Sequence, residues 1–311
     1  MRAPAADAYT LRRIGQRQDL LWDSSVIRSM LFVPADDARK LARAAGSGAD
    51  VLVLDLEDSV LPDRKPQARE MSCEYLAAAA DRDRIWIRVN DLASGETLKD
   101  LAKIMPAGPA GVVVPKISGP ADAHTVAHYL DAFEAACGRE PGSVRMILLV
   151  TETPSAILRL GEMVREGASA RLVGLMWGAE DLSSGMGAGD PRTADGAWRP
   201  TYEYARVQCL LAAHALGVEA IDTVYVNYRD HAGLRESCRG SRLDGFTGRM
   251  AIHPDQVPII NETFGPTEEE LGLAQSIVDA FSRGAGAVSI GGKMYDIPHL
   301  KAAKRLLAKG K

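Results

Sequence analysis

The chain has 311 residues, 46% of them hydrophobic and 25% charged, with a formal net charge of -4; this is the composition of a soluble chain long enough to bury a large core. That charge balance leaves no electrostatic footprint for nucleic acid or an anionic membrane, and neither is expected as a partner. No apolar run reaches the roughly eighteen residues of a membrane span, no secretory h-region precedes the first periodic segment, and Cys73, Cys137, Cys209 and Cys238 show no C-x-x-C spacing, so a cytoplasmic protein with reduced thiols is expected.

Residues 1–25 are polar, lack a sustained period and read as an N-terminal arm. Eight short apolar runs then follow: Ser29 to Pro34, Val51 to Leu56, Ile85 to Val89, Gly111 to Pro115, Arg145 to Thr151, Leu172 to Trp177, Ala220 to Val226 and Arg249 to Ile252. Their near-continuous hydrophobicity suits strands covered on both faces, as parallel strands are. Between them, Asp37 to Gly46, Lys65 to Ala79, Ala121 to Ala136, Pro154 to Glu166 and Tyr202 to Leu216 carry helical spacing, and glycines follow at 48, 138, 167 and 217. Strand–helix alternation predicts right-handed βαβ units, and eight of them predict a closed (β/α)₈ TIM barrel over residues 26–265. The Gly185 to Gly189 string follows an acidic strand end and opens no βαβ helix at the nucleotide-fingerprint spacing, so it reads as a loop. Thr267 and Glu270 form a capping box that starts a C-terminal helical extension over residues 266–311.

Barrel active sites lie at the C-terminal rim of the strands. Read in order, those ends supply Pro34; Asp55, Glu57 and Asp58; Arg88 and Asn90; Lys116; Glu152; Glu180 and Asp181; Asn227; and His253. Any one of them is as readily a structural ion pair; their convergence is what points to a site. Glu152 and Asp181, each closing an apolar run, offer the one or two carboxylates by which Mg²⁺ is usually held, with water or substrate oxygens in its other positions. Zinc is not expected, because the six histidines are scattered without an H-E-x-x-H or a cysteine ligand pair. Arg88, after I-W-I, is placed to fork onto a carboxylate or a developing enolate oxygen. Lys116 has three readings: a Schiff-base amine, a phosphate contact, or an ion-pair partner of D-L-E-D. Glu57 is expected to face inward with Asp55 and to hydrogen-bond a metal-bound water, and Asp58 to cap the following turn.

The strings R-S-M-L-F-V-P, G-A-D-V-L-V-L-D-L-E-D-S-V-x-P-x-R-K-x-x-A-R, I-R-V-N, V-V-V-P-K, L-L-V-T-E-T-P-x-A-I, W-G-A-E-D-L, G-x-E-A-I-D-T-V-Y and I-H-P-x-Q-V resemble, in order, the citrate lyase β-subunit-like family of the HpcH/HpaI aldolase superfamily, which includes malyl-CoA and citramalyl-CoA lyases. The likeness runs from Arg28 to Leu307. It implies a (β/α)₈ barrel that cleaves or forms a carbon–carbon bond in a 3-hydroxyacyl-CoA thioester, with small 2-oxo acids as the other partner. By matching motif, Glu152 and Asp181 become Mg²⁺ ligands, and Arg88 binds the oxo-acid carboxylate and the oxyanion. G-K-M-Y-D-I-P resembles the family's C-terminal lid, whose aspartate is the acid–base group; that role transfers to Asp296, reaching the site of a neighbouring subunit in a homotrimer or hexamer. Pro34, Lys116, Asn227 and His253 are expected around the substrate, His253 as a turn residue or near the adenine end of a CoA rather than as a base. A malyl-CoA thioesterase and a non-catalytic CoA-binding subunit of a lyase complex are the alternatives. One departure stands out: Ala35 follows F-V-P where the family commonly has glycine, and Asp36 and Asp37 come next, close to where CoA phosphates are expected, with Lys40, Arg64 and Lys65 available to compensate.

Overall fold

The computed structural model describes residues 27–167, 169–282 and 286–309; the expected arm over residues 1–25 lies outside the described residues. The described chain falls into two compact units, Ile27–Gly265 and a C-terminal one beginning at Pro266. Among the described residues, no helix is long and apolar enough to cross a membrane.

In the first unit, β1 (Ser29–Pro34), β2 (Val51–Asp55), β3 (Ile85–Arg88), β4 (Gly111–Val114), β5 (Arg145–Leu149), β6 (Leu172–Met176), β7 (Glu219–Asp222) and β8 (Gly248–Ala251) form a closed barrel in sequence order. β1 pairs in parallel with both β2 and β8, so the fold is the expected TIM barrel. The principal covering helices are α1 (Ala38–Ala45), α2 (Lys65–Ala78), α3 (Thr97–Ile104), α4 (Pro120–Ala136), α5 (Pro154–Glu166), α6 (Glu180–Met186), α7 (Pro200–Leu216), α8 (His231–Asp244) and α9 (Val257–Phe264). β2 and β4 are buried at every position, which is why their sequences run V-L-V-L-D and G-V-V-V without a polar face. The Gly185 to Gly189 string is the end of α6, where Gly187 takes φ 62° as its C-terminal cap.

Barrel closure depends on one close approach. A Cβ on Gly248 would stand 2.2 Å from the Ile27 carbonyl oxygen and 2.7 Å from that of Arg28, backbone that cannot swing aside. Gly248→Ala is therefore expected to cost about 3 kcal/mol and to lower Tm by roughly 5–10 °C in a thermal melt.

The sequence expectation errs at the seventh strand. β7 ends at Asp222, not Val226, because the β-branched residues that follow leave the sheet. The Thr223 carbonyl accepts from Arg249 Nε at 2.9 Å and the Tyr225 carbonyl from Gln256 Nε2 at 2.8 Å, so side chains satisfy backbone groups that a strand neighbour would otherwise take. Val226 and Asn227 are consequently exposed loop residues.

The C-terminal unit consists of α10 (Glu268–Phe281), an antiparallel pair β9 (Ala287–Ile290) and β10 (Lys293–Asp296), and α11 (Ile297–Lys309). Ala274, Ile277, Phe281 and Ala303 form its own small core. Gly291 and Gly292, at φ 58° and 78°, provide the two positive-φ positions that a tight two-residue hairpin turn requires. The capping box starts α10 as expected: Thr267 Oγ1 accepts from Glu270 N at 3.2 Å, and Glu270 Oε2 accepts from Thr267 N at 2.9 Å.

Candidate active site

The strand ends open on a cleft of about 390 Å³ lined by Phe32, Pro34, Asp55, Arg88, Glu152 and Asp181 and by Thr223, Val224 and Ile252. One wall is made by the ends of β2 and β3. Adjacent register pairs Asp55 with Arg88; Arg88 Nε and Nη2 each reach an oxygen of Asp55 at 2.7 Å, and Nη1 lies 2.9 Å from Glu57 Oε2. That last contact is an ion pair outside hydrogen-bond geometry, since Glu57 Oε2 has no hydrogen-bond donor. Asp55 also accepts from Glu57 N at 3.0 Å and Ser59 Oγ at 2.5 Å, which saturates its lone pairs and leaves it no metal-binding capacity. Burial pushes the Asp55 carboxyl up, but the Arg88 charge and fork outweigh it and hold Asp55 below its ordinary value. Arg88 gains correspondingly: burial works against its charge, and the Asp55 and Glu57 carboxylates more than restore it.

The metal expectation concerns Glu152 and Asp181, and both face the cleft. Burial and then the nearby Asp181 charge push Glu152 up to about 8. A buried carboxylate raised in this way by its neighbour lacks sufficient positive charge, which is the condition a bound cation relieves. Among the described residues no three His, Cys, Asp or Glu side chains converge into a metal cage; the donor set is the sparse all-oxygen pair that suits Mg²⁺.

Lys116 connects the two halves of the site. Its amide donates to Glu152 Oε2 at 2.6 Å, while Nζ reaches Glu57 Oε1 at 2.5 Å, Asp58 Oδ2 at 2.8 Å and Asp181 Oδ1 at 3.3 Å. The residue sits at φ 51°, a strained conformation for a side chain with a Cβ and one that gathers at functional sites. Burial opposes its charge, but the hydrogen bonds it donates to Asp58 and Glu57 hold the ammonium well above the ordinary lysine range. Of its three readings the ion pair is the one realised, and Asp58 pairs with Lys116 instead of only capping a turn. An amine so firmly protonated is a poor Schiff-base nucleophile. Borohydride added with pyruvate is expected to leave activity unchanged, and mass spectrometry to find no adduct on Lys116.

Glu57 is ion-paired by Lys116 and Arg88, and its Oε2 is left without a hydrogen-bond donor. His253 is a cap: Nδ1 accepts from Asp255 N at 3.2 Å, and its ring stacks on Tyr228 at 4.6 Å. Asn227, expected at the substrate, lies in the exposed loop beyond β7. Behind the rim, Asn90 donates to Asp100 Oδ2 at 2.8 Å, and Lys65 turns inward to Asn90 and to the Leu56 carbonyl at 3.0 Å, bracing the Asp55–Asp58 turn. The Asp36–Asp37 departure is neutralised locally. Arg64 Nε holds Asp36 at 2.8 Å, and Asp37 caps α1 by accepting from Arg39 N and Lys40 N at 3.0 and 3.1 Å. Of the three expected compensators, Arg64 pairs with Asp36 and Lys40 Nζ lies 3.7 Å from Asp37 Oδ2, while Lys65 turns to Leu56 and Asn90. Sequence reading missed Thr223, whose buried Oγ1 at the cleft wall has no hydrogen-bond partner; a threonine inside a β-branched run gives no signal.

The HpcH/HpaI aldolase/citrate lyase family matches residues 28–254. The chain belongs to this family. Citrate lyase subunit beta of Haemophilus influenzae is 34% identical over 289 residues, 91% of this chain and 97% of that protein. Mouse mitochondrial citramalyl-CoA lyase is 30% identical over 90% of this chain and 85% of its own, and the (3S)-malyl-CoA thioesterase of Cereibacter sphaeroides is 32% identical over 91% and 94%. Among solved structures, protein CitE of Mycobacterium tuberculosis in complex with magnesium, acetoacetate and coenzyme A superposes with a TM-score of 0.75 at 31% identity, covering 92% of this chain and 98% of that one. The family is thus one of aldolases and lyases, and its barrel is the one described above.

Proposed function

We propose that this HpcH/HpaI-family chain is a Mg²⁺-dependent carbon–carbon lyase that interconverts malyl-CoA or citramalyl-CoA with acetyl-CoA and glyoxylate or pyruvate. The observation that carries the reading is the presence, in one cleft, of an under-compensated Glu152–Asp181 carboxylate pair beside a guanidinium fixed by Asp55 and Glu57. Glu152 and Asp181 would hold the cation, which supplies Lewis acidity toward the 3-hydroxyl and carboxylate of the thioester.

The remaining work falls to the chain's own groups. Two of the five N–H donors of Arg88 are bonded to Asp55, leaving the other three for the oxo-acid carboxylate and for the negative charge that develops on cleavage. Lys116 keeps Glu57 and Asp58 from adding free negative charge to the cleft. Asp296 protonates the thioester enolate carbon in cleavage and removes the α-proton in condensation, delivered by the C-terminal extension acting as a lid in a homotrimer or hexamer. Because Asp36 and Asp37 are engaged internally, they do not stand against CoA phosphates at the neighbouring surface that Lys40 and Arg64 share.

EDTA is expected to abolish release of glyoxylate from malyl-CoA, read as its phenylhydrazone, and Mg²⁺ to restore it. Turnover that survives chelation overturns the proposal. The likeness to the thioesterase supports a second reading, and the same assay separates them: free malate and CoA without glyoxylate mean thioester hydrolysis.

A further inference from the structure

We propose that His299 holds the proton that Asp296 delivers, so that the two side chains act as one relay; the inference rests on the acid–base role given to Asp296 above. β10 ends on Asp296 and α11 begins at the next residue, which sets His299 one turn further along on the same face. His299 Nδ1 lies 2.6 Å from Asp296 Oδ1 and 3.2 Å from Asp296 N.

A single ring nitrogen cannot make both hydrogen bonds in one protonation state. Carrying a proton, Nδ1 donates to Oδ1 and has no lone pair for the amide; without one, it accepts from the amide, and Oδ1 must itself be protonated to bond to it. The geometry therefore accommodates two states that differ by the transfer of one proton along the Oδ1–Nδ1 line. The Tyr295 ring, edge-on at 5.4 Å, limits rotation of the imidazole away from that line. Both side chains are about half exposed, at 46% for Asp296 and 54% for His299, so water can reload the pair. The hydrogen bond from His299 holds the Asp296 carboxyl below its ordinary range. A carboxyl of that acidity is a poor store for a proton near neutral pH.

In the cleavage direction the step balances as follows. The Nδ1–H bond of the imidazolium breaks and an O–H bond forms on Asp296; that O–H then breaks as the new C–H bond forms at the enolate carbon. The pair is left as carboxylate and neutral imidazole, which takes a proton from water. Condensation runs the same transfers in reverse. His299 acts through Asp296 and is a positioning and proton-holding residue.

The test compares Asp296→Asn, His299→Asn and His299→Ala in the full-length protein, each checked for folding by circular dichroism. The readouts are kcat and KM for cleavage and, separately, exchange of the acetyl-CoA methyl protons in D₂O by NMR. The asparagine at 299 keeps a donor to Oδ1 but carries no transferable proton. Both 299 variants are expected to lose about tenfold or more in kcat and in exchange while KM stays within about twofold, and added imidazole to restore His299→Ala but not Asp296→Asn. Wild-type kcat in His299→Asn, or no rescue by imidazole, overturns the relay while leaving Asp296 as acid–base group. Wild-type activity in Asp296→Asn removes that underlying role and the relay with it.

Discussion

Arg88→Ala is expected to lower kcat/KM for thioester cleavage by about 10³-fold or more and stability by roughly 3–5 kcal/mol, two losses with different origins. The stability loss comes from what remains: Asp55 and Glu57 stay nearly fully buried, at 2% and 3% exposure, with their main counter-charge gone. Deleting one partner of a buried pair costs more than the pair is worth, because the surviving charge keeps its desolvation penalty. The catalytic loss comes from the guanidinium N–H groups not bonded to Asp55. Lysine at this position restores a charge but not the fork, so Arg88→Lys is expected to recover part of the stability and little of the rate. Combining Arg88→Ala with Asp55→Asn removes the stranded carboxylate; denaturant midpoints should rise again while kcat stays low. Recovery of kcat in that double variant would show that Arg88 serves only to neutralise Asp55.

The barrel was legible because parallel strands covered on both faces carry an almost unbroken apolar run, so V-L-V-L-D-L and G-V-V-V announce themselves. Glu152 and Asp181 were legible for the same reason: a charge that terminates such a run must lie at the rim. The seventh strand ends early although Thr223, Val224 and Val226 have strand-like side chains, because the Thr223 and Tyr225 carbonyls are held by Arg249 and Gln256, contacts between distant parts of the chain that local pattern does not encode. Lys116 was left among three readings because its partners, Glu57, Asp58 and Asp181, come from two other strand ends. Asp36 and Asp37 looked like a liability for an anionic ligand until Arg64 and the α1 amides proved to occupy them. The role of Asp296 rests on family likeness alone, and His299, three residues on, carries no local signal because a lone histidine in a helix is most often only a surface residue.

Glu152→Gln should act in opposite directions on stability and on metal binding. In the folded chain the Glu152 carboxyl sits at about 8, above its ordinary 4.5, because burial and Asp181 disfavour its charge. Such a group contributes stability that is complete below the ordinary value and is lost as pH rises through the folded one. Metal-free wild-type protein is therefore expected to lose stability between about pH 4.5 and 8, and Glu152→Gln to lack that loss, melting at higher temperature than wild type at pH 8 by the equivalent of up to about 4 kcal/mol. Mg²⁺ requires the carboxylate form, so its apparent affinity for wild type should climb with pH up to about 8, by as much as about tenfold per unit, with proton release visible by calorimetry in buffers of different ionisation heat. In Glu152→Gln the added cation should give no rise in Tm and no proton release, and cleavage should fall by at least about 10²-fold. Asp181→Asn provides the complementary case: removing the neighbouring charge lets Glu152 ionise at lower pH, which stabilises the metal-free chain near neutrality, yet one ligand is gone and Mg²⁺ stabilisation should shrink. If Mg²⁺ raises the Tm of both variants as it does that of wild type, the cation is held elsewhere and the two strand-end carboxylates are not its ligands.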